Sequence, residues 1–139
     1  MQKIIIDTNV LVSALIQRSY PNFILYNCVL ENLVELCISD DLLEEYLEVL
    51  HRPKFSKYPD FVSKAEFVLI QIEVKSTKYY PSQHIEVISD NADNRLLELA
   101  EDSKADFLIT GNTNDFIMTD FKGTKIVNPK NYWEIFREQ

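Results

Sequence analysis

The sequence predicts an α/β protein with a three-layer α/β/α architecture and a central parallel sheet. Short apolar runs rich in Ile, Val and Leu alternate with longer stretches of helical periodicity. Such runs suit strands buried on both faces, which is typical of parallel sheets covered by helices. The chain has 139 residues, 46% of them hydrophobic, and we expect a single domain over residues 1–139.

The first half of the chain predicts two strands and four helices. KIII and VELCI are short and apolar on both faces, which indicates buried strands. In SDDLLEEYLEVL, Ser39 or Asp40 precedes an apolar arc at helical spacing, so either residue is a candidate N-cap. In chain order we expect strand 3–6, helix 8–17, helix 21–31, strand 34–38, helix 40–51 and helix 59–74.

The second half predicts a helix, two strands and a closing helix. Asp93, Leu97 and Ala100 recur at i, i+4 and i+7, the spacing of one helix face. The apolar run in DFLIT then indicates another buried strand. We expect helix 93–104, strand 106–110, strand 125–127 and helix 129–137.

The balance of charge sets a condition on any nucleic-acid function. With 22 acids against 14 bases, the formal net charge is −8, whereas phosphate binding normally relies on Lys and Arg. Acids that converge on one cleft are an exception, because a bound divalent cation presents positive charge to a phosphate. No apolar run approaches about 18 residues and no signal-type segment is visible, so we expect a cytoplasmic protein without a membrane partner.

Oxygen ligands fall at the carboxyl edge of the predicted sheet, where ligands of parallel sheets bind. Asp7 closes the first strand, and Asn112 and Asp115 follow strand 106–110 in TGNTNDF. A nearly buried carboxylate such as Asp7 is costly without a cation or several donors beside it. Asp7 therefore requires a partner.

Two helices add further acids. Glu45 borders the apolar arc of helix 40–51, whereas Glu44 and Glu48 point away from the arc and suit a solvated face. Asp93 heads an apolar stripe, although Asp90 and Asp93 also suit helix capping. Acids from two strand ends and two helices would thus supply only oxygen ligands, which favours Mg²⁺ or Mn²⁺ and displacement at a phosphate.

Four stretches carry a family resemblance: KIIIDTNVLVSAL, ISDDLLEEYLEVLHRPKF, SDNADNRLLELAEDSKADFLITGNTNDF and KIVNPKNYWEIF. They resemble the PIN domain, the fold of many metal-dependent ribonucleases, including the toxins of VapBC-type toxin–antitoxin systems. The resemblance implies a PIN-like fold and an endoribonuclease that cleaves RNA with water activated by Mg²⁺ or Mn²⁺. It also implies a toxin role, with a cognate antitoxin as partner and a homodimer or higher oligomer.

The resemblance also implies roles for individual residues. Asn112 stands where relatives carry Asp or Asn, so a neutral amide occupies a position that is charged in some of them. By position, the metal-binding residues are Asp7, Glu45, Asp93 and Asp115, the further catalytic position is Asn112, and the positioning residues are Asn9 and Thr110.

An RNA strand also needs basic and aromatic residues near the cleft. Candidates lie in HRPKFSK and in KSTKYY, where aromatic faces could stack on bases. The same residues are equally consistent with ordinary solvated loops. The candidate RNA-binding residues are Arg52, Lys54, Lys57, Lys78 and Tyr79.

Two other functions fit parts of the pattern. A Mg²⁺-binding receiver domain of signalling proteins needs adjacent acids after the first strand and a phosphate-accepting Asp after a middle strand. Here Asp7 stands alone, and VELCIS contains no aspartate before its helix begins. A catalytically weak PIN fold that serves as a binding module is favoured by the amide of Asn112.

Overall fold

A six-stranded, mostly parallel sheet forms the centre of the computed structural model, which describes residues 1–116 and 118–138, without the side chain of Asp115. The strands are β1 (Lys3–Ile6), β2 (Glu35–Ile38), β3 (Thr77–Lys78), β4 (Phe107–Ile109), β5 (Asp120–Phe121) and β6 (Thr124–Val127). They lie in the order β3-β2-β1-β4-β6-β5. With helices on both sides, the sheet has the predicted three-layer α/β/α architecture.

Six α-helices lie in the described part of the chain. They are α1 (Thr8–Ile16), α2 (Tyr20–Ile24), α3 (Asp40–Leu50), α4 (Phe61–Lys75), α5 (Asn91–Ser103) and α6 (Pro129–Asn131). The chain continues from α2 into a π-helical turn, Leu25–Val29, and from α6 into another, Tyr132–Phe136. In the residues described, no helix combines the length and apolar character needed to cross a membrane.

Side chains cap the two helices that flank the candidate site. The hydroxyl of Ser39 accepts a hydrogen bond from the N–H of Leu42 at 3.2 Å, so Ser39 is the N-cap of α3. Asp90 Oδ1 accepts from the N–H groups of Ala92 and Asp93 at 2.8 and 3.1 Å. Asp90 therefore caps α5, as the sequence suggested.

β1 lies at the centre of the sheet because its side chains are apolar on both faces. Ile4 pairs with Leu36 of β2 on one side and with Phe107 of β4 on the other. The three isoleucines Ile4, Ile5 and Ile6 are at most 2% exposed.

Beside β1 the strand order reverses. β2 and β3 extend the sheet on one side of β1, whereas β4 and β6 extend it on the other. A reversal of this kind leaves a crevice at the carboxyl ends of the two strands that adjoin it, β1 and β4. The N–H of Asp7 donates to the carbonyl of Ile109 at 2.9 Å, which continues the strand pairing up to this crevice.

The predicted elements are present, with ends shifted by a few residues, but the sheet has two edge strands that the prediction lacks. β3 pairs parallel to β2 at one edge, and β5 pairs antiparallel to β6 at the other. Positive φ angles at Lys122 (51°) and Gly123 (93°) form the tight turn between β5 and β6. The central sheet is therefore mostly parallel, as predicted, and among the described strands the antiparallel pair lies at this edge.

Candidate active site

An open cleft of about 490 Å³ lies beyond the carboxyl ends of β1 and β4. The start of α1, one side of α3 and the N-terminus of α5 form its walls, so three helices surround the crevice at the strand reversal. Its polar lining consists of Asp7, Thr8, Asn9, Ser13, Glu45, Arg52, Asp90, Asp93 and Asn112.

Asp7 lies at the base of this cleft. It is the N-cap residue of α1, yet its side chain makes no capping hydrogen bond in the described structure. Instead its Oδ2 accepts from the hydroxyl of Thr110 at 2.7 Å, across the strand reversal. The N–H of Asn112 donates in turn to Thr110 Oγ1 at 3.1 Å. The end of β4 thus fixes the carboxylate that follows β1.

Burial raises the pKa of Asp7, which is only 9% exposed. The hydrogen bond from Thr110 lowers this pKa, whereas the nearby carboxylates of Glu45 and Asp90 raise it. The net shift is upward. An ionised Asp7 is therefore unfavourable until a cation balances it.

Glu45 reaches the cleft because its neighbour anchors α3 against β1. Tyr46 is fully buried, and its hydroxyl donates to the carbonyl of Ile6, the last residue of β1. Glu45 lies next to this anchor and accepts a hydrogen bond from the hydroxyl of Thr8. Asp7 and Glu45 are thus each held by a threonine hydroxyl, from Thr110 and Thr8 respectively.

α5 brings two aspartates to the opposite wall. Asp90 is exposed and caps the helix, while Asp93 is half-buried in its first turn. Both side chains line the cleft. Capping and a position in the cleft therefore coincide here, so the two interpretations of these residues are compatible.

Asn9 carries a buried acceptor that the described residues leave unused. Its Oδ1 is inaccessible to solvent and has no hydrogen-bond partner among them. A buried amide oxygen without a partner is costly, and such atoms commonly mark a place for a water, an ion or a ligand. Asn9 lines the same cleft as Asp7.

Arg52 is the one cation that lines the cleft in the part of the chain that the structure describes. Its guanidinium pairs with Glu48, with Nη2–Oε2 at 2.8 Å and Nε–Oε1 at 3.1 Å. The cleft is therefore acidic, and the single arginine is partly neutralised.

The other predicted RNA-binding residues lie outside the cleft lining. Lys54 and Lys57 lie over the rings of Phe55 and Tyr58, and Lys78 pairs with Asp40 at 3.0 Å. The hydroxyl of Tyr79 donates to Glu35 at 2.6 Å, at the amino end of β2 and away from the cleft. Lys54, Lys57, Lys78 and Tyr79 are thus not part of the cleft lining, and their roles in RNA binding stay predictions.

The metal set predicted from sequence is brought together only in part. Asp7, Glu45 and Asp93 share the cleft, and Asn112 lies at its rim. Among the described side chains, no three His, Cys, Asp or Glu are arranged closely enough to surround an ion. The predicted ligand Asp115 lies outside this comparison, because its side chain is not described.

The donor chemistry of the cleft nevertheless fits a hard cation. Asp7 is a buried carboxylate whose pKa is raised by its surroundings, and Asn9 offers a buried oxygen without a partner. Carboxylate and amide oxygens are the ligands that Mg²⁺ and Mn²⁺ prefer.

Comparison with known proteins gives the family. A sequence profile of the PIN domain matches residues 3–114, which include β1 to β4 and every residue of the cleft lining. The chain belongs to the PIN-domain family. PIN domains are generally nucleases that use divalent metal ions, so membership indicates a hydrolase acting on nucleic acid.

One relative covers almost the whole PIN-domain chain. The uncharacterized protein MJ1680 of Methanocaldococcus jannaschii is 28% identical over 145 residues, which span 98% of this chain and 92% of the relative. No solved structure was found to match the chain.

Two residues of this PIN domain were missed in the sequence. Thr8 orients Glu45, and its only signal was its place between Asp7 and Asn9. Asn94 is 1% exposed, and its side chain bonds the backbone N–H groups of Val87 and Ile88. A buried asparagine within the amphipathic pattern of α5 was the available signal.

Proposed function

We propose that this PIN domain is a Mg²⁺- or Mn²⁺-dependent endoribonuclease that hydrolyses phosphodiester bonds of RNA. One observation carries the proposal: the buried carboxylate of Asp7 lies at the strand reversal, in a cleft that also contains Glu45 and Asp93. Family membership supports the nuclease class, and the all-oxygen lining supports the choice of ion.

Asp7, Glu45 and Asp93 are the residues that would hold the ion. When bound, Mg²⁺ or Mn²⁺ supplies positive charge that stabilises the phosphate and lowers the pKa of water, which makes water a better nucleophile. Thr110 and Thr8 keep the two carboxylates in place and occupy one oxygen of each. Asn9 Oδ1 is a buried acceptor beside these carboxylates that has no hydrogen-bond partner among the described residues.

The acidity of the cleft explains why the protein alone should not bind a phosphate there. Asp7, Glu45, Asp90 and Asp93 line the cleft, and Arg52 is paired with Glu48. Repulsion from these carboxylates disfavours a phosphate until a cation is bound. Activity is therefore expected to require the ion strictly.

The test is cleavage of a labelled single-stranded RNA by the purified protein. We expect no cleavage in EDTA, recovery with Mg²⁺ or Mn²⁺, and failure with Ca²⁺, whose coordination is looser. Glu44→Gln is the control variant for substitutions of the cleft acids and should cleave RNA like the wild-type protein. Glu44 lies on the exposed side of α3, outside the cleft lining. Cleavage that persists in EDTA, or a protein that cuts no RNA with any metal, would contradict the proposal.

A toxin role with a cognate antitoxin is a finer proposal within the same function. It predicts that expression of the protein arrests growth of a host cell and that Asp7→Asn relieves the arrest. Neighbouring reading frames that rescue growth would identify the antitoxin. Arrest that is unchanged by Asp7→Asn would count against a catalytic toxin.

A binding module is the second candidate, favoured by Asn112, which puts an amide in place of a possible fourth charge at the cleft rim. Such a module would bind RNA without cutting it. The variant Asn112→Asp separates the two functions, because it should improve a weak nuclease and leave a pure binding module inactive.

A further inference from the structure

A second concave site lies at the other end of α1. It has a volume of about 380 Å³. The C-terminal end of α1, helix α2 with the π-helical turn that follows it, and α4, which packs against α1, form this site. We call it the basic pocket, and its polar lining is Gln17, Arg18, Asn22, Tyr26 and Lys64.

The basic pocket has the opposite charge to the cleft. Arg18 and Lys64 contribute two exposed cations, and no acidic residue is among the described lining. Neither cation forms a salt bridge with the residues that the structure describes. In a chain with a formal net charge of −8, two unpaired cations in one pocket favour an anionic ligand.

α1 connects the two sites by a continuous half-exposed stripe. Asn9, Val12, Ser13 and Ile16 follow one another at helical spacing, and each is partly exposed. The first three line the acidic cleft, and Ile16 lines the basic pocket. Ile16 lies seven positions after Asn9, or roughly 10 Å along the helix axis at 1.5 Å per residue. One short strand of nucleic acid can span both.

Tyr26 gives the pocket an aromatic surface. Its ring is partly buried against the core cluster and lies in the π-helical turn Leu25–Val29. π-helical turns often occur at functional positions, and a tyrosine face beside cations is a common platform for a nucleobase.

We propose that the basic pocket binds the backbone of single-stranded RNA a few nucleotides away from the bond that is cut in the cleft. Arg18 and Lys64 contact phosphates, and Tyr26 supports a base. The proposal rests on the proposed ribonuclease function for its choice of ligand. An acidic protein segment is the competing occupant, but the stripe that leads into the cleft favours a strand that enters both sites.

The first test measures binding of a fluorescent single-stranded RNA in EDTA, so that no cleavage is required. Arg18→Gln/Lys64→Gln should weaken binding about 25-fold at 0.1 M salt, the counterion-release contribution of two phosphate contacts. The slope of log K against log salt should become shallower by about 1.4. Arg18→Lys/Lys64→Arg, which keeps both charges, should restore the affinity.

Lys75→Gln/Lys125→Gln is the matched control, because it removes two cations from other parts of the surface. Equal loss of RNA affinity in both double variants would overturn the proposal, since the effect would then reflect net charge alone. A polyglutamate peptide that binds the wild-type protein more tightly than RNA, and needs Arg18 and Lys64, would overturn it in favour of an acidic protein partner.

The second test separates this pocket from the cleft. In the cleavage assay Arg18→Gln/Lys64→Gln should raise KM for a long RNA and leave kcat unchanged, because the pocket binds ground state and transition state equally. A fall in kcat with unchanged KM would overturn the proposal. If the protein cuts no RNA at all, the ribonuclease function fails, while the binding test still decides the pocket.

Discussion

The two ends of α1 carry opposite charge. At its N-terminus Asp7 lies in a cleft with three further carboxylates from α3, the Asp90 cap and α5, whereas at its C-terminus Arg18 and Lys64 line a pocket without a described acid. The helix dipole favours this direction, with anions at the N-terminus and cations at the C-terminus. Its effect is too small to explain four acids in one cleft.

The opposite charges of the two ends allow two different kinds of contact with RNA. The basic end can meet a phosphate directly, whereas the acidic end can meet one only through a cation. Binding and cleavage should therefore depend on different residues and respond differently to metal.

Asp7→Asn should abolish the function of the acidic end alone. We expect cleavage to fall by at least about 100-fold, because the buried ligand is lost, while RNA binding in EDTA is retained. In EDTA the variant should melt at a higher temperature, since it removes a buried charge whose pKa is raised by burial. Loss of the cooperative melt, or lost RNA binding, would contradict this account.

Asn94→Ala should damage the loop that leads into the acidic cleft. The side chain of Asn94 bonds the N–H groups of Val87 and Ile88, and its Nδ2 donates to the Ile88 carbonyl at 2.6 Å. Leaving these groups without partners should cost about 2–4 kcal/mol in the free energy of unfolding. Denaturant titration measures the loss, with Asn91→Ala on the exposed first turn of α5 as control.

The metal-free protein should lose stability as pH rises. The folded state raises the pKa of Asp7 above its ordinary value of 3.8, so the folded state binds more protons than the unfolded state in that window. This contribution is present below the ordinary value and is lost as pH rises through the raised pKa. Denaturation midpoints in EDTA between pH 4 and 8 should show the decline, and Asp7→Asn should flatten it.

The Mn²⁺ requirement of cleavage should depend on the protonation of Asp7. Because the ion must displace it from Asp7, the Mn²⁺ concentration for half-maximal cleavage should increase as pH falls towards the raised pKa. A concentration that is constant from pH 5 to 8 would place the ion elsewhere.

Much of the fold follows from the sequence because its central strands are distinctive. KIII and DFLIT are short runs that are apolar on both faces, and only a strand covered on both sides buries both of its faces. β3 and β5 have two residues each, so no periodicity can reveal them. Their pairing is decided by the neighbouring strands, which a local pattern does not contain.

The sequence likewise predicts part of the cleft but not all of its contacts. Asp7, Glu45 and Asp93 were expected at one edge, and the structure places them in one cleft; their roles as ligands stay predictions. The bonds from Thr8 to Glu45 and from Thr110 to Asp7 join residues 37 and 103 positions apart. The basic pocket likewise combines α1, α2 and α4. Local sequence spacing therefore predicts neither the two hydrogen bonds nor the pocket.

Asn112→Asp should strengthen the acidic end moderately. The residue is exposed at the cleft rim, and its backbone N–H, which holds Thr110, is kept in the variant. An added carboxylate should lower the Mn²⁺ concentration for half-maximal cleavage several-fold, because more negative charge faces the ion. Asn128→Asp, outside the cleft lining, is the control. An unchanged or higher Mn²⁺ requirement would show that this position does not limit metal binding.

Glu48→Gln should have the smallest effect. It releases Arg52 from its ion pair with a side chain that is 61% exposed, and the freed guanidinium lines the cleft. RNA affinity should rise by about twofold, the scale of an exposed helical ion pair. Glu44→Gln removes the same charge without releasing Arg52 and should leave affinity unchanged. Equal gains in both variants would assign the effect to net charge.

The proposed function requires that the acidic end of α1 binds a divalent cation. A crystal soaked in Mn²⁺ tests it directly by anomalous scattering. We expect a peak within about 2.0–2.6 Å of oxygens from Asp7 and at least one of Glu45 and Asp93, the usual range of metal–oxygen bonds. A cleft without a peak at saturating Mn²⁺, or a peak bound only by residues outside the cleft, would contradict cation binding by Asp7.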